Sequence, residues 1–93
     1  MKYNIWHDGN KDENGVNLWW VEAVEQDGFL RVTQDVPLLL AEEYVAGVIA
    51  DDDIVCERDF TAGEDLCCTG ADFKADWQKT QAFRLTSREA KGE

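Results

Sequence analysis

Leu18-Trp19-Trp20-Val21-Glu22-Ala23-Val24-Glu25-Gln26-Asp27-Gly28-Phe29-Leu30-Arg31-Val32-Thr33 is the stretch that decides the fold. Its two arms read as strands, and Asp27-Gly28 between them supplies the φ > 0 positions that suit a two-residue hairpin turn. That turn pairs Gln26 with Phe29, Val24 with Arg31 and Glu22 with Thr33. Side chains alternate across a strand, so Trp19, Val21, Ala23, Leu30 and Val32 share the opposite face, which is almost wholly apolar and is predicted to be core.

Working outward, Tyr3 to His7 alternates as a short strand in which Trp6 points opposite to Tyr3 and Ile5. Trp6 and Trp20 are therefore expected together on the polar face with Glu22. Residues 8–15 are dense in turn formers. On the other side, Asp35-Val36-Pro37 reads as a helix start, with Asp35 as cap and Pro37 in the first turn. Residues 38–49 are apolar nearly all round, broken only by Glu42, Glu43 and Gly47, which predicts a well-buried helix over 36–50. Asp51-Asp52-Asp53 ends it, because acids are unfavourable at a helix C-terminus. Residues 54–60 alternate again, with Ile54, Cys56 and Phe60 on one side and Asp53, Val55, Glu57 and Asp59 on the other. Residues 61–70 read as loop, 71–78 as a short second helix, 81–86 as a final strand and 87–93 as a frayed tail. The fold class is α+β: one domain over 1–93, a small antiparallel sheet of three to five strands packed by one buried helix.

At 93 residues and 44% apolar content, the chain can build one core without a metal or disulfide. Its net charge of −11 argues against direct binding to DNA or an anionic membrane, since either approach meets repulsion, and favours a basic partner. Composition leaves a homodimer open. Of the three cysteines, Cys67 and Cys68 are sequence neighbours, poor geometry for a bridge, which suggests a reducing cytoplasm. The start of the chain shows no signal-peptide pattern, and no segment is long and apolar enough for a membrane span.

The most informative charge pattern is the run Glu42, Glu43, Asp51, Asp52, Asp53, Glu57, Asp59, Glu64 and Asp65, nine carboxylates against the single base Arg58. Like charges at this density weaken the compact state, so a role directed outward is the natural reading. On one strand face Glu57 and Asp59 lie about 6.6 Å apart, a short ladder extended by Asp53, comparable to the phosphates of a duplex. The bland alternative is a solvated face serving solubility. Trp6 and Trp20 add a candidate interface anchor, unless Phe73 and Trp77 cover that face.

Catalytic and metal signals are weak. Asn10-x-Asp12-x-Asn14-Gly15 begins like a calcium loop, but its twelfth position is Val21 rather than a bidentate acid. Cys56, Cys67, Cys68 and His7 lack zinc-motif spacing, and His7 has no nucleophile or acid at motif distance. No cofactor, metal or enzyme activity is expected. From Lys74 to Lys91 the chain turns basic, with five bases against Asp76 and Glu89.

In size, acidity, sheet-plus-helix pattern and want of an active-site motif, the chain resembles small inhibitors encoded by phages and mobile elements, above all anti-CRISPR and DNA-mimicking antirestriction proteins. The resemblance implies a target: the basic DNA-binding or guide-RNA-bearing surface of a CRISPR effector complex in the host cytoplasm, met by carboxylates standing in for phosphates. The basic stretch after Lys74 departs from a pure DNA mimic and would serve to neutralise the acidic lobe or touch guide RNA. The runner-up is a small acidic structural or assembly protein of a phage or bacterium.

Overall fold

The alternation read from the sequence builds the first two strands. In the computed structural model, which describes residues 1–79, β1 (Lys2–His7) and β2 (Leu18–Glu25) pair antiparallel, with Ile5 opposite Val21 and Trp6 opposite Trp20. β3 (Gly28–Arg31) returns along β2, but the turn is Gln26-Asp27, with Glu25 opposite Gly28 and Val24 opposite Phe29. Gly28 does not take a positive φ. The register thus differs by two residues from the one an Asp27-Gly28 turn imposes. An even shift preserves the pleat, so Trp19, Val21 and Ala23 stay in the core and Trp20 stays opposite them.

Past Arg31 the chain bulges. The amides of Val32 and Thr33 both reach the Val21 carbonyl, at 2.8 and 3.4 Å, while the Val21 amide donates to the Thr33 hydroxyl at 2.7 Å. β4 (Val36–Pro37) then rejoins β2 opposite Trp19 and Leu18, in the register first expected for the hairpin itself. Asp35 does not cap the helix. It sits at φ 38°, its carboxylate accepts from Asn10 Nδ2 at 3.5 Å, and α1 (Leu38–Val48) starts without a side-chain cap.

α1 packs on the sheet by one stripe, Ala41 and Val45, continued by Ile49 just beyond its end. Burial all round is not what occurs: Leu39, Leu40, Tyr44 and Val48 are exposed. The apolar residues outnumber what one face against a sheet can cover.

β5 (Ile54–Asp59) lies parallel to β1, with Ile5 opposite Glu57. β6 (Glu64–Thr69) pairs antiparallel with β5, occupying part of the stretch expected as loop. It is an edge strand exposed almost throughout, so no burial pattern is written into its sequence. The sheet order is β3-β2-β1-β5-β6, with β4 beside β2. It is mixed rather than antiparallel, because α1 carries the chain across to the free side of β1. A second helix, α2, runs from 70 to 79 and sets Phe73 in the core with Val55, on the same side as α1. The strand expected over 81–86 and the tail over 87–93 lie outside the described residues. No described helix is long and apolar enough to cross a membrane.

The core is Tyr3, Ile5, Trp19, Val21, Val45, Val55 and Phe73 with smaller neighbours. Each large side chain fully buried there contributes about 1.5–3 kcal/mol. His7 belongs with them: it is buried, donates from Nδ1 to the Leu18 carbonyl at 2.9 Å and stacks on Trp19. A buried ring in that setting positions the β1–β2 pair.

Candidate functional site

Pleat parity divides the sheet into two chemically different faces. Lys2, Arg31 and Arg58, the bases carried on strands, all project from the face away from the helices, alongside Glu22 and Asp65. On the helix side, Glu57 and Asp59 of β5 stand with Glu64 of β6, which is directly opposite Asp59, and no base shares that side of either strand. The acidic ladder therefore exists, but its third member is Glu64. Asp53 precedes β5 and is used elsewhere.

The nine carboxylates differ in how far the fold already engages them. Asp53 accepts from the Ala50 amide and from the amino group of Met1, both at 3.0 Å, and these contacts, the Ala50 hydrogen bond foremost, hold its carboxyl below the ordinary range. Asp59 accepts from the Thr61 hydroxyl and from the amides of Thr61 and Ala62, closing the β5–β6 turn, and its carboxyl is likewise lowered, chiefly by the Thr61 side chain. Asp51 pairs with Lys74, and Asp65 lies 3.5 Å from Arg58 Nε. Glu43, Asp52, Glu57 and Glu64 make no ion pair among the described residues. Glu42 sits on the flank of α1 that faces β5, at a cleft of about 290 Å³. Glu57 and Asp76 bring two more carboxylates to this cleft, and Val55, Phe73 and Trp77 wall it. Cys68 also lines it. Burial pushes its thiol up, helped by Asp72, Asp76 and Glu57, so at neutral pH it is a protonated, weak nucleophile.

Trp6 and Trp20 do share the outer face. Their rings meet at 4.6 Å, Phe60 sits edge-on to Trp6 at 5.0 Å, and the Arg31 guanidinium lies 4.4 Å over Trp20. Both tryptophans are half-buried by this mutual packing. Phe73 and Trp77 do not cover them, since α2 lies on the other side of the sheet. Acids and tryptophans are consequently not one surface: two faces of a sheet separate Trp6 and Trp20 from Glu57 and Glu64. Arg31, expected opposite Val24, stands opposite Glu22 after the two-residue shift of the hairpin, and its seat on Trp20 had no sequence signal.

Cys56 and Cys67, directly opposite on β5 and β6, form a disulfide. The expectation of unbridged cysteines is corrected: the neighbours Cys67 and Cys68 cannot bond each other, but a hairpin missed in the sequence brings Cys67 to Cys56. Cys56, Cys67 and Asp65 are also the group that clusters like metal ligands among the described residues, yet the bridge occupies both sulfurs. The calcium-like loop is closed by itself, because Asp12 Oδ1 accepts from the amides of Asn14 and Val16 at 2.8 and 2.9 Å.

Comparison with protein-family models, curated proteins and solved structures found no match.

Proposed function

We propose that this chain is a non-enzymatic inhibitor whose acidic β5–β6 edge occupies a basic, nucleic-acid-binding surface of a host-defence complex, in the manner of anti-CRISPR or DNA-mimic proteins. The observation that carries this reading is the one-sided placement of Glu57, Asp59 and Glu64, with Glu42 beside them and no base on that side of either strand. Neighbours along a strand lie about 6.6 Å apart and pairs across strands about 5 Å, so the three acids form a compact patch of fixed charge on the scale of backbone phosphates. A groove lined by Lys and Arg is its complement.

The test is retention on an immobilised DNA-binding protein and displacement by duplex DNA. Glu43→Gln, Asp52→Asn, Glu57→Gln and Glu64→Gln together neutralise acids that hold no ion pair within the described fold, so stability is kept while binding is lost. Interfacial charge pairs can each be worth ~1.5 kcal/mol or more. Unchanged binding by the folded quadruple variant sinks the reading.

Cytoplasmic action is part of this proposal, and the Cys56–Cys67 bridge is the observation that weighs against a reducing compartment. Inhibition measured with and without reductant decides whether the bridge matters. The second reading, an assembly protein whose acidity serves solubility, is favoured by the apolar side chains that α1 leaves exposed.

A further inference from the structure

Strand register fixes one row of side chains on the outer face of the sheet. Glu22 of β2, Asn4 of β1, Cys56 of β5 and Cys67 of β6 stand side by side, and Asp65 follows Cys67 on the same side of β6. Asn4 is only 5% exposed. Its Nδ2 donates to Glu22 Oε1 at 3.3 Å on the β2 side, so the other arm of the amide, Oδ1, turns away from Glu22 toward the Cys56 side of β1. That oxygen is buried and accepts no hydrogen bond among the described residues. A buried acceptor left unpaired is destabilising, and a cation beside it removes the penalty.

The next residues in the row are a donor set of matching size. One ligand atom from each of Cys56, Cys67 and Asp65 lies within 4.8 Å of the other two, and Cys67 Sγ is 3.6 Å from Asp65 Oδ1. Around a tetrahedral zinc ion, a thiolate sulfur at about 2.3 Å and a carboxylate oxygen at about 2.1 Å stand about 3.6 Å apart. The two sulfurs are joined in the bridge, so the site exists only when the bridge is open.

We propose that the reduced chain binds a zinc ion through Cys56, Cys67, Asp65 and Asn4 Oδ1. Cys67 is exposed and Cys56 buried, so a thiolate of a cellular dithiol attacks Cys67 Sγ, breaks the S–S bond and expels the Cys56 thiolate. The second thiol of that reductant then displaces Cys67, and the reductant leaves as its own disulfide, having supplied two electrons and two protons. Zinc takes the place of the two thiol protons, which pass to solvent. Thiolates select this ion over calcium or magnesium. The charges also balance: two thiolates and the Asp65 carboxylate meet the dication and the Arg58 guanidinium, whose Nε is 3.5 Å from Asp65. In either redox state β6, which has little burial of its own, is thereby tied to β5, by the bridge or by the ion. The inference is independent of what the acidic edge binds, since Glu57, Asp59 and Glu64 lie on the other face of the sheet.

Titration of the full chain with Co2+, in a phosphine reductant that carries no thiol, tests it. The expected result is a thiolate-to-cobalt charge-transfer band that saturates at one ion per chain, vanishes when Zn2+ is added, and is absent from the oxidised chain. Carboxylates alone give no such band. Cys67→Ser abolishes it, Asp65→Asn and Asn4→Ala each weaken binding about tenfold or more, and Cys68→Ser, on the helix side of β6, leaves it unchanged. Zn2+ raises the Tm of the reduced chain and leaves that of the oxidised chain where it was. A reduced chain, folded or not, that gives no band overturns the proposal, as does one whose Tm Zn2+ fails to raise. So does a band that survives Cys67→Ser or is indifferent to Asp65→Asn or to Asn4→Ala, which would come from thiols of an unfolded hairpin rather than from this site.

Discussion

Gly70 is where α2 meets the turn that follows α1, and the contact leaves no room for a side chain. A Cβ there would lie 1.9 Å from the Ala50 carbonyl oxygen, 2.9 Å from its carbon and 3.0 Å from Ile49 Cγ1. The obstacle is backbone that cannot step aside, because Ala50 O accepts from the Asp53 amide at 3.1 Å and the Ala50 amide donates to Asp53 Oδ2 at 3.0 Å. Relieving the clash means moving α2 away, and that stretches the bonds from the Gly70 amide to Asp53 O and from the Ala71 amide to Asp51 O. Forced overpacking costs about 1–3 kcal/mol, and each lost hydrogen bond about 1 kcal/mol. Helix propensity and a stiffer unfolded chain return about 1 kcal/mol. Gly70→Ala is therefore expected to destabilise the fold by about 3 kcal/mol, which in a domain of this size lowers Tm by roughly 12–24 °C. Gly47→Ala is the control: Gly47 lies within α1 with nothing near its absent Cβ, so the same change there stabilises by about 0.5–1 kcal/mol. Urea melts of both variants are the assay. A Gly70→Ala protein as stable as wild type would refute the packing of α2 on this turn.

Trp19→Ala removes a core ring and costs about 3–5 kcal/mol, whereas Trp20→Ala, which loses packing on Trp6 and Arg31 only, costs about 1–2 kcal/mol; denaturant melts showing equal losses would mean the two faces are misassigned. Asp53 has a folded-state pKa below its ordinary 3.8, so its contribution is complete above that pH and is lost as pH falls through the folded value. The Tm gap between wild type and Asp53→Asn is thus constant near neutrality and closes below pH 3.8; a gap that widens on acidification contradicts the assigned contacts.

What was legible in the sequence followed from parity. Trp19 inward and Trp20 outward needed only alternation, and it survived a hairpin turn expected at Asp27-Gly28, one residue later than it forms, because the resulting shift in pairing was even. Edge strands were not legible in the same way: β6 is exposed almost throughout, so Glu64 to Thr69 show no burial period, and with that hairpin unseen the pairing of Cys56 with Cys67 was invisible too. The acids were counted correctly, but a count does not separate roles. Asp53 and Asp59 fasten turns through short-range hydrogen bonds, while Glu43, Asp52, Glu57 and Glu64 hold no ion pair among the described residues. The difference depends on which backbone amides come to rest beside each carboxylate, a property of the folded turn rather than of composition.

The excess apolarity of α1 and the excess acidity of the chain are then parts of one arrangement. A helix that served only to cover this sheet would need the stripe through Ala41 and Val45 and would be polar elsewhere, yet Leu40, Tyr44 and Val48 extend it toward β3 while Glu42 faces β5. The helix thus separates an apolar edge from an acidic one, and the sheet keeps them on opposite sides of β1 and β2. Under this arrangement Leu30→Glu, at the apolar end of the sheet, leaves capture of a basic target unchanged. Neutralising Glu57 and Glu64, at the acidic end, weakens it.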